Sequence, residues 1–182
     1  MTGRDALAPV LDAETKVGEA PEHHVQELRL WLRLLTCTNL IESEVRRRLR
    51  VEFDMTLPRF DFLAQLDRMR DGMTLGQLSR RMMVSNGNVT LVAEKLEAEG
   101  LITRSVSATD RRVVLVQMTA AGRRLFRKVA AAHAGWLGEL LGGMRASEMQ
   151  DALSVLACAK ESIRQAQERA AARDPADEAA AP

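Results

Sequence analysis

Apolar residues recur at steps of three and four through most of the chain, which is the spacing of one face of an α-helix. This spacing predicts a long first helix from about His24 to Arg50. A second helix begins near Pro58, a residue that suits a first turn, and ends at Asp71-Gly72. Two apolar stripes predict that this second helix is buried on most sides: Phe60, Leu63 and Ala64 form one, and Phe62, Leu66 and Met69 form the other.

The spacing changes in the middle of the chain. Short helices are predicted at Leu75–Met82 and at about Asn86–Glu99, with Ser85 as the N-cap of the second. Two strands follow, at Leu101–Val106 and Val113–Met118. The six residues 107–112 between them suit a hairpin with a long loop.

Two further helices complete the pattern. The first starts at Thr119 and stops at Gly142-Gly143, and the second opens at Ser147 to Gln150, a capping-box arrangement. Residues 1–21 show little periodicity and are expected to form a flexible arm. Residues 169–182 are rich in alanine and are expected to form a fraying helix followed by a disordered tail.

Composition narrows the class of protein. A length of 182 residues fits one domain with tails, and 26 basic against 25 acidic residues give a formal net charge of +1. Basic charge for a nucleic acid would therefore have to be local. Aromatic residues make up 3% of the chain and tyrosine is absent, which argues against a surface on which bases stack.

No motif of an enzyme is present: the sequence has no GxSxG elbow, phosphate loop, HExxH or dinucleotide glycine fingerprint. We therefore expect no catalytic residue and no cofactor. His23, His24 and His133 are too scattered for a metal site. Without a signal sequence, an apolar run of about 18 residues or a disulfide framework, a cytoplasmic location is expected.

The two short helices carry the candidate chemistry, because a helix-turn-helix places its second helix in the DNA major groove. At 100° per residue, Val89, Val92, Ala93 and Leu96 share one apolar sector, whereas Gly87, Asn88, Leu91, Glu94 and Lys95 point outward. Polar residues collect at the N-terminal end, where the helix dipole favours phosphate: Ser85, Asn86, Asn88 and Thr90. Asparagine can pair with adenine, and Lys95 can reach a phosphate.

Further candidate contacts lie on this helix, on the second helix and in the hairpin loop. Leu91 fits a thymine methyl or a partner surface, although a single exposed leucine is also ordinary. Arg59, at the start of the second helix, is a further candidate DNA contact. In the hairpin loop, Asp110-Arg111-Arg112 is either a hydrated turn or a minor-groove contact in which Asp110 fixes the direction of a guanidinium.

The helix-turn-helix and hairpin motifs resemble those of the MarR family of bacterial transcriptional regulators. The residues that carry the resemblance are Thr74 to Ser79, Ser85 to Thr90, Lys95 to Ile102, Asp110, Arg112 and Met118 to Gly122. The resemblance covers about Val25 to Gln167 and departs at three positions: Met83, where a small residue is usual; Leu91, where many members have a basic residue; and Met118, where leucine is usual.

The resemblance implies a mainly α fold: a winged helix-turn-helix with a two-stranded β wing and long flanking dimerisation helices. Residues 22–56 and 119–168 would then dimerise and residues 57–118 would bind DNA. The expected function is a ligand-responsive homodimeric repressor of transcription. Its operator would be pseudo-palindromic, with half-sites about one turn (~10 bp) apart.

By the same resemblance, an effector would lie between the dimerisation helices and the winged helix. The expected effector is a small aromatic acid or its aryl-coenzyme A thioester, in the control of aromatic-compound catabolism. The candidate wall is Trp31, Leu35, Asn39, Phe60, His133 and Trp136, each of which could instead be a core or interface residue. The basic run Arg46, Arg47, Arg48 and Arg50 is either a hydrated helix end or an anion site.

Two alternatives remain at this point. The chain could be a winged-helix module that binds a protein, which the neutral net charge and Leu91 favour. It could also be a redox-sensing regulator of the same type that uses Cys37 or Cys158, although inert buried thiols are expected for both.

Overall fold

The computed structural model describes residues 25–106 and 113–177, with side chains described as far as residue 172. The described residues form six helices and three strands. In chain order they are α1 (Val25–Phe53), α2 (Leu57–Asp67), β1 (Met73–Thr74), α3 (Leu75–Met82), α4 (Asn86–Ala98), β2 (Ile102–Val106), β3 (Val114–Met118), α5 (Ala120–Leu141) and α6 (Ala146–Asp177). The chain forms two compact units, the first ending at Leu137 and the second beginning at Gly138.

All six predicted helices and both predicted strands are therefore present, and their ends lie within a few residues of the predicted ones. The ninth element, β1, was not predicted. Among the described residues, no helix is both long enough and apolar enough to cross a membrane.

The core of the first unit is built around α2. Phe60, Phe62, Leu63 and Leu66 are buried, so each predicted stripe places two residues in the interior, whereas Met69 lies beyond the end of α2 and is exposed. α4 adds a second buried row: Val89, Ala93 and Leu96 are fully enclosed. Each large apolar side chain buried in this way contributes roughly 1.5–3 kcal/mol, so α2 and α4 hold each other in a fixed orientation.

The strands form a three-stranded antiparallel sheet in the order β1-β3-β2. β2 and β3 are the predicted hairpin, with Ile102 opposite Met118 at one end and Val106 opposite Val114 at the other. β1 pairs Met73 with Val116, and thereby fastens the start of α3 to the hairpin. A strand of two residues is too short to show alternation, which is why the sequence pattern did not reveal it.

The junction between β3 and α5 is tightly packed. Thr119 donates its amide hydrogen to the Leu101 carbonyl oxygen at 3.0 Å, and its hydroxyl donates to the Gly100 carbonyl oxygen at 2.8 Å. The same hydroxyl oxygen accepts from the Gly122 amide at 3.0 Å. A β-carbon on Gly122 would lie 2.1 Å from the Leu101 carbonyl oxygen, so only glycine fits there. These contacts fix the base of the hairpin against the end of α4.

α6 differs from its predicted form at its start. It begins at Ala146, and Glu148 accepts a hydrogen bond from the Arg145 amide at 2.9 Å, so the capping contact lies two residues earlier than the predicted capping box at Ser147 to Gln150. The helix continues to Asp177, which agrees with the helical part of the segment predicted from residue 169. Alanine has the highest helix propensity, which suits this end of the helix.

The two cysteines are both exposed in the single chain, so the expectation of buried thiols is wrong. Cys37 lies on α1 and Cys158 on α6. Helical spacing located the apolar faces of these helices, but it did not show how much of each face a single chain covers.

Candidate nucleic-acid interface

The turn between α3 and α4 is set by local hydrogen bonds. Thr74 and Gln77 form a capping box at the start of α3, with N···O distances of 2.9 and 3.1 Å. The buried Ser79 hydroxyl donates to the Val84 carbonyl oxygen at 2.6 Å. Met83 has a left-handed backbone (φ 54°) and is 92% exposed. The departure from a small residue at Met83 is therefore accommodated without burying its side chain.

α4 presents the face that helical spacing predicted. Gly87, Asn88, Leu91, Glu94 and Lys95 are all exposed on the side away from the buried row. Leu91 is 54% exposed. The exposed face of α4 therefore carries polar, charged and apolar side chains.

The N-terminal end of α4 carries the predicted polar set. Ser85 caps the helix by accepting from the Asn88 amide at 3.4 Å, and the Thr90 hydroxyl donates to the Asn86 carbonyl oxygen at 2.9 Å. Ser85 and Thr90 are thus used within the helix. The side chains of Asn86 and Asn88 are exposed, and base reading by them stays a prediction.

Basic residues next to this turn were not singled out from the sequence. Arg80 and Arg81 form the last turn of α3, immediately before the turn, and both are exposed. Two adjacent arginines just before α4, the recognition helix of the helix-turn-helix, could have been identified from the sequence as candidate phosphate contacts. Lys95 is exposed near the other end of α4.

The hairpin loop itself lies outside the described residues, so the predictions for Asp110, Arg111 and Arg112 are not tested by its geometry. The strands that carry it are described. Val106 and Val114, the pair nearest the loop, are exposed.

Arg59 has a carboxylate partner within the chain. Its guanidinium contacts the carboxylate of Glu99, just after α4, and its side chain is 14% exposed. A second pair, Arg104 with Glu97 at 3.1 Å, joins β2 to the same end of α4. The DNA contact of Arg59 stays a prediction, and the ion pair with Glu99 points to an internal role. Arg59 and Arg104 together hold the C-terminal end of the recognition helix.

Replacing Arg59 with glutamine tests this internal role. When one phosphate contact is lost, the plot of log affinity against log salt becomes less steep by about 0.9. We expect the Arg59→Gln variant to keep the wild-type slope and to lose about 1 kcal/mol of unfolding free energy, a value discounted because Glu99 is half exposed. Arg68→Gln, an exposed arginine at the end of α2, is the matched control. A less steep salt dependence for Arg59→Gln, with unchanged stability, would show instead that Arg59 contacts a DNA phosphate.

Three of the predicted effector residues come together. The Phe60 ring lies 4.9 Å from the His133 ring, and the His133 ring lies 6.3 Å from the Trp136 ring, centre to centre. Phe126 and Phe53, which sequence reasoning missed, extend this aromatic cluster at 5.7 and 6.0 Å from Phe60 and Trp136. Phe60 and Trp136 are buried, and burial lowers the pKa of His133, which favours its neutral form.

The predicted residues on α1 are arranged differently. Trp31 and Leu35 are exposed, and Asn39 lines a shallow groove on α1 with Glu42, Ser43 and Arg46. No described ring contact links Trp31 to the aromatic cluster formed by Phe53, Phe60, Phe126, His133 and Trp136.

The basic run of α1 is balanced by its own helix. Arg46 contacts Glu42, and Arg47 and Arg48 bond to Glu44 at 2.7 and 2.6 Å. These two arginines lower the pKa of Glu44 to about 2. Because Arg46, Arg47 and Arg48 are each paired with a glutamate, the arrangement fits a hydrated helix end, and the anion site stays a prediction.

The architecture defines a class of protein. A helix-turn-helix whose second helix exposes a polar N-terminus, followed by an antiparallel hairpin, is a winged-helix DNA-binding fold. The family model described as MarR family matches residues 55–114, which span this region.

The relatives agree with the family model. The transcriptional activatory protein BadR of Rhodopseudomonas palustris is 30% identical over 131 residues, covering 70% of this chain and 74% of BadR. The crystal structure of a MarR family transcriptional regulator from Silicibacter pomeroyi is 30% identical, with a TM-score of 0.67, and covers 79% of this chain and 99% of that one. The chain belongs to the MarR family, and it is a DNA-binding transcriptional regulator rather than an enzyme.

Two structures at lower identity share the fold and were solved with bound molecules. FabT of Streptococcus pneumoniae, in complex with DNA, is 24% identical with a TM-score of 0.65, over 77% of this chain and 99% of that one. CouR of Rhodococcus jostii RHA1, bound to p-coumaroyl-CoA, is 20% identical with a TM-score of 0.62, over 70% of this chain and 88% of that one.

Proposed function

We propose that this regulator is a homodimeric repressor whose two α4 helices enter successive major grooves of a pseudo-palindromic operator. The observation that carries the proposal is the N-terminal end of α4. Asn86 and Asn88 are exposed there, while Val89 and Ala93 on the opposite face are buried and fix the helix in place. Arg80 and Arg81 are positioned to contact phosphates beside it.

Exposed apolar residues on two helices support a dimer. On α1, Leu30, Trp31 and Leu40 are about half exposed or more. On α6, none of the side chains described between residues 146 and 172 is buried, and Leu153, Leu156 and Ile163 are exposed. Helices of this length with uncovered apolar side chains are typical of surfaces buried by a second copy.

An aromatic acid, or its aryl-coenzyme A thioester, is the proposed effector. The aromatic cluster on α2 and α5 supports this class, because the half-buried His133 ring can donate to or accept from a ligand beside the Phe60 ring. The structure of CouR with p-coumaroyl-CoA shows that the same fold can take such a thioester. Genes of aromatic-compound catabolism are the corresponding targets.

Repression is the proposed sign of regulation. A dimer on an operator that overlaps a promoter blocks transcription, and a ligand that binds the DNA-free state better shifts the protein off the operator. One relative, BadR, is named an activator, and another, MdtR of Bacillus subtilis, is named a repressor. A reporter gene under the regulator's own promoter distinguishes the two signs.

Arg112→Ala tests the wing. An arginine in the minor groove interacts with its enhanced negative potential, and we expect its loss to weaken operator binding about tenfold or more. Circular dichroism and sedimentation should show an unchanged fold and an unchanged oligomer. Arg124→Ala, an exposed arginine on α5, is the control and should bind normally. Wild-type affinity for Arg112→Ala would remove the wing contact from the proposal.

A protein-binding winged helix is the second candidate function. Three apolar side chains near the start of α4 favour it: Met83, Val84 and Leu91 are all exposed. Such a contact would tolerate salt, whereas phosphate contacts weaken steeply as salt rises. The exposed thiols of Cys37 and Cys158 keep redox sensing as a third possibility, to be tested by operator binding after mild oxidation of single Cys→Ser variants.

A further inference from the structure

A cleft of about 600 Å³ lies between the end of α2 and the first turns of α5. Its volume is within the range of small-molecule sites, roughly 300–1,000 Å³. Its apolar lining consists of Leu66, Met69 and Met118, and its charged lining consists of Asp67, Arg70, Arg123 and Arg127. Leu66 and Met118 are buried and Met69 is exposed, so the cleft has an apolar floor that opens to solvent.

Two of the arginines are held by the backbone. The Nη1 of Arg123 donates to the Met118 carbonyl oxygen at 2.6 Å, and the Nε of Arg127 donates to the Arg123 carbonyl oxygen at 3.3 Å. A guanidinium has five N–H donors, so each arginine keeps donors for a ligand. Within the described residues, no ion pair joins Arg70, Arg123 or Arg127 to a carboxylate. The lining carries three positive charges, from the arginines, and one negative charge, from Asp67, so its net charge is positive.

The cleft is remote from the DNA-reading end of the winged helix. Met118 is the β3 residue farthest from the hairpin loop, about 13 Å along the strand from Val114 at about 3.3 Å per residue. Thr119, next to it, bonds to Gly100 and Leu101 beyond the C-terminal end of α4. The polar N-terminus of α4 lies about 20 Å away along that helix. Contact with operator phosphates therefore does not account for these arginines.

The cleft shares no lining residue with the proposed effector site. The aromatic cluster is made by Phe53, Phe60, Phe126, His133 and Trp136, and none of these side chains lines the cleft. No aromatic ring is present in the cleft lining, and its apolar groups are aliphatic or thioether. Flexible methionine side chains adapt to ligands of irregular shape.

We propose that this cleft binds a small organic carboxylate with an aliphatic body. The carboxylate would pair with Arg123 and Arg127, and the body would lie against Met69, the exposed apolar side chain of the lining. A guanidinium matches a carboxylate with two parallel hydrogen bonds, which a neutral amide cannot accept in the same way. A bare inorganic anion would leave Met69 exposed to water, so both parts of the ligand are needed. The proposal does not depend on the effector or the operator.

Calorimetry on the full chain at constant ionic strength tests the site, with hexanoate as the probe. Hexanamide, its neutral analogue, and inorganic phosphate, an anion without an apolar body, are the comparisons. We expect hexanoate to bind at least about tenfold more tightly than either, which corresponds to the worth of a charge-assisted hydrogen bond. No heat from hexanoate, or phosphate binding as tightly as hexanoate, would overturn the proposal.

Two variants locate the binding. The Arg123→Gln/Arg127→Gln variant should weaken hexanoate about tenfold or more, and Arg124→Gln, on the same helix but outside the cleft lining, should not. Because Arg123 also bonds to the Met118 carbonyl oxygen, Arg70→Gln/Arg127→Gln serves as a second variant that leaves that bond intact. Unchanged hexanoate affinity in a folded sample of either double variant would show that the carboxylate binds elsewhere.

Discussion

Replacing Gly122 with alanine is expected to lower the free energy of unfolding by about 3 kcal/mol, at the upper end of overpacking effects. The added β-carbon would lie 2.1 Å from the Leu101 carbonyl oxygen and 2.8 Å from the Met118 Cγ. The Leu101 oxygen cannot easily move, because it accepts the amide hydrogen of Thr119. The strain therefore falls on the junction that holds the hairpin against α4. Urea denaturation followed by circular dichroism measures the loss.

Gly87→Ala is the matched control for this substitution. Gly87 is also in a helix, and a β-carbon there would meet nothing within 4 Å. Alanine is a better helix former than glycine, so this variant should be as stable as the wild type or more stable by up to about 1 kcal/mol. Equal stability of the Gly122→Ala and Gly87→Ala variants would mean that the close packing at Gly122 does not exist in solution.

Replacing Asn86 and Asn88 together with alanine is expected to remove most of the preference for the operator. A good bidentate contact between a side chain and a base is worth about 1–3 kcal/mol, so the pair accounts for roughly 2–6 kcal/mol of discrimination. Binding to scrambled DNA should change little, because phosphate contacts from Arg80, Arg81 and Lys95 are retained. The operator for this experiment is selected from random DNA with the wild-type protein. Fluorescence anisotropy on both DNAs gives the two affinities.

Asn39→Ala is the control, since Asn39 is an exposed asparagine on α1, outside the helix-turn-helix. It should keep the wild-type preference. If the double variant lost the same factor on operator and scrambled DNA, the two asparagines would be phosphate contacts. If it lost nothing on either, base reading would have to come from other residues of α4, of which Leu91 is the most exposed large apolar one.

The helix-turn-helix could be predicted closely because its signals are local. Ser85 and Gly100 bound α4, and 100° spacing assigned its buried and exposed faces as the structure shows them. The hairpin was predicted for the same reason, since alternation and loop length are read along one stretch of chain.

Features that depend on distant residues could not be predicted in this way. Arg59 and Glu99 are 40 positions apart, so no local pattern indicates that they form an ion pair. β1 exists only through its pairing with β3, and Phe53 and Phe126 join the predicted aromatic residues only in the folded chain. The exposed cysteines show the same limit, because helical spacing identifies a face but not what covers it.

The most direct test of the central claim, that α4 and the hairpin bind a specific DNA sequence, is fluorescence anisotropy across a salt series. The DNA is the region upstream of the regulator's own gene, with a scrambled duplex as the reference. The account predicts preferential binding to the upstream DNA, with log affinity falling linearly against log salt at a slope of about −0.9 for each phosphate contact. Equal affinity for both DNAs, or binding that salt does not weaken, would contradict it and favour a protein partner for the winged helix.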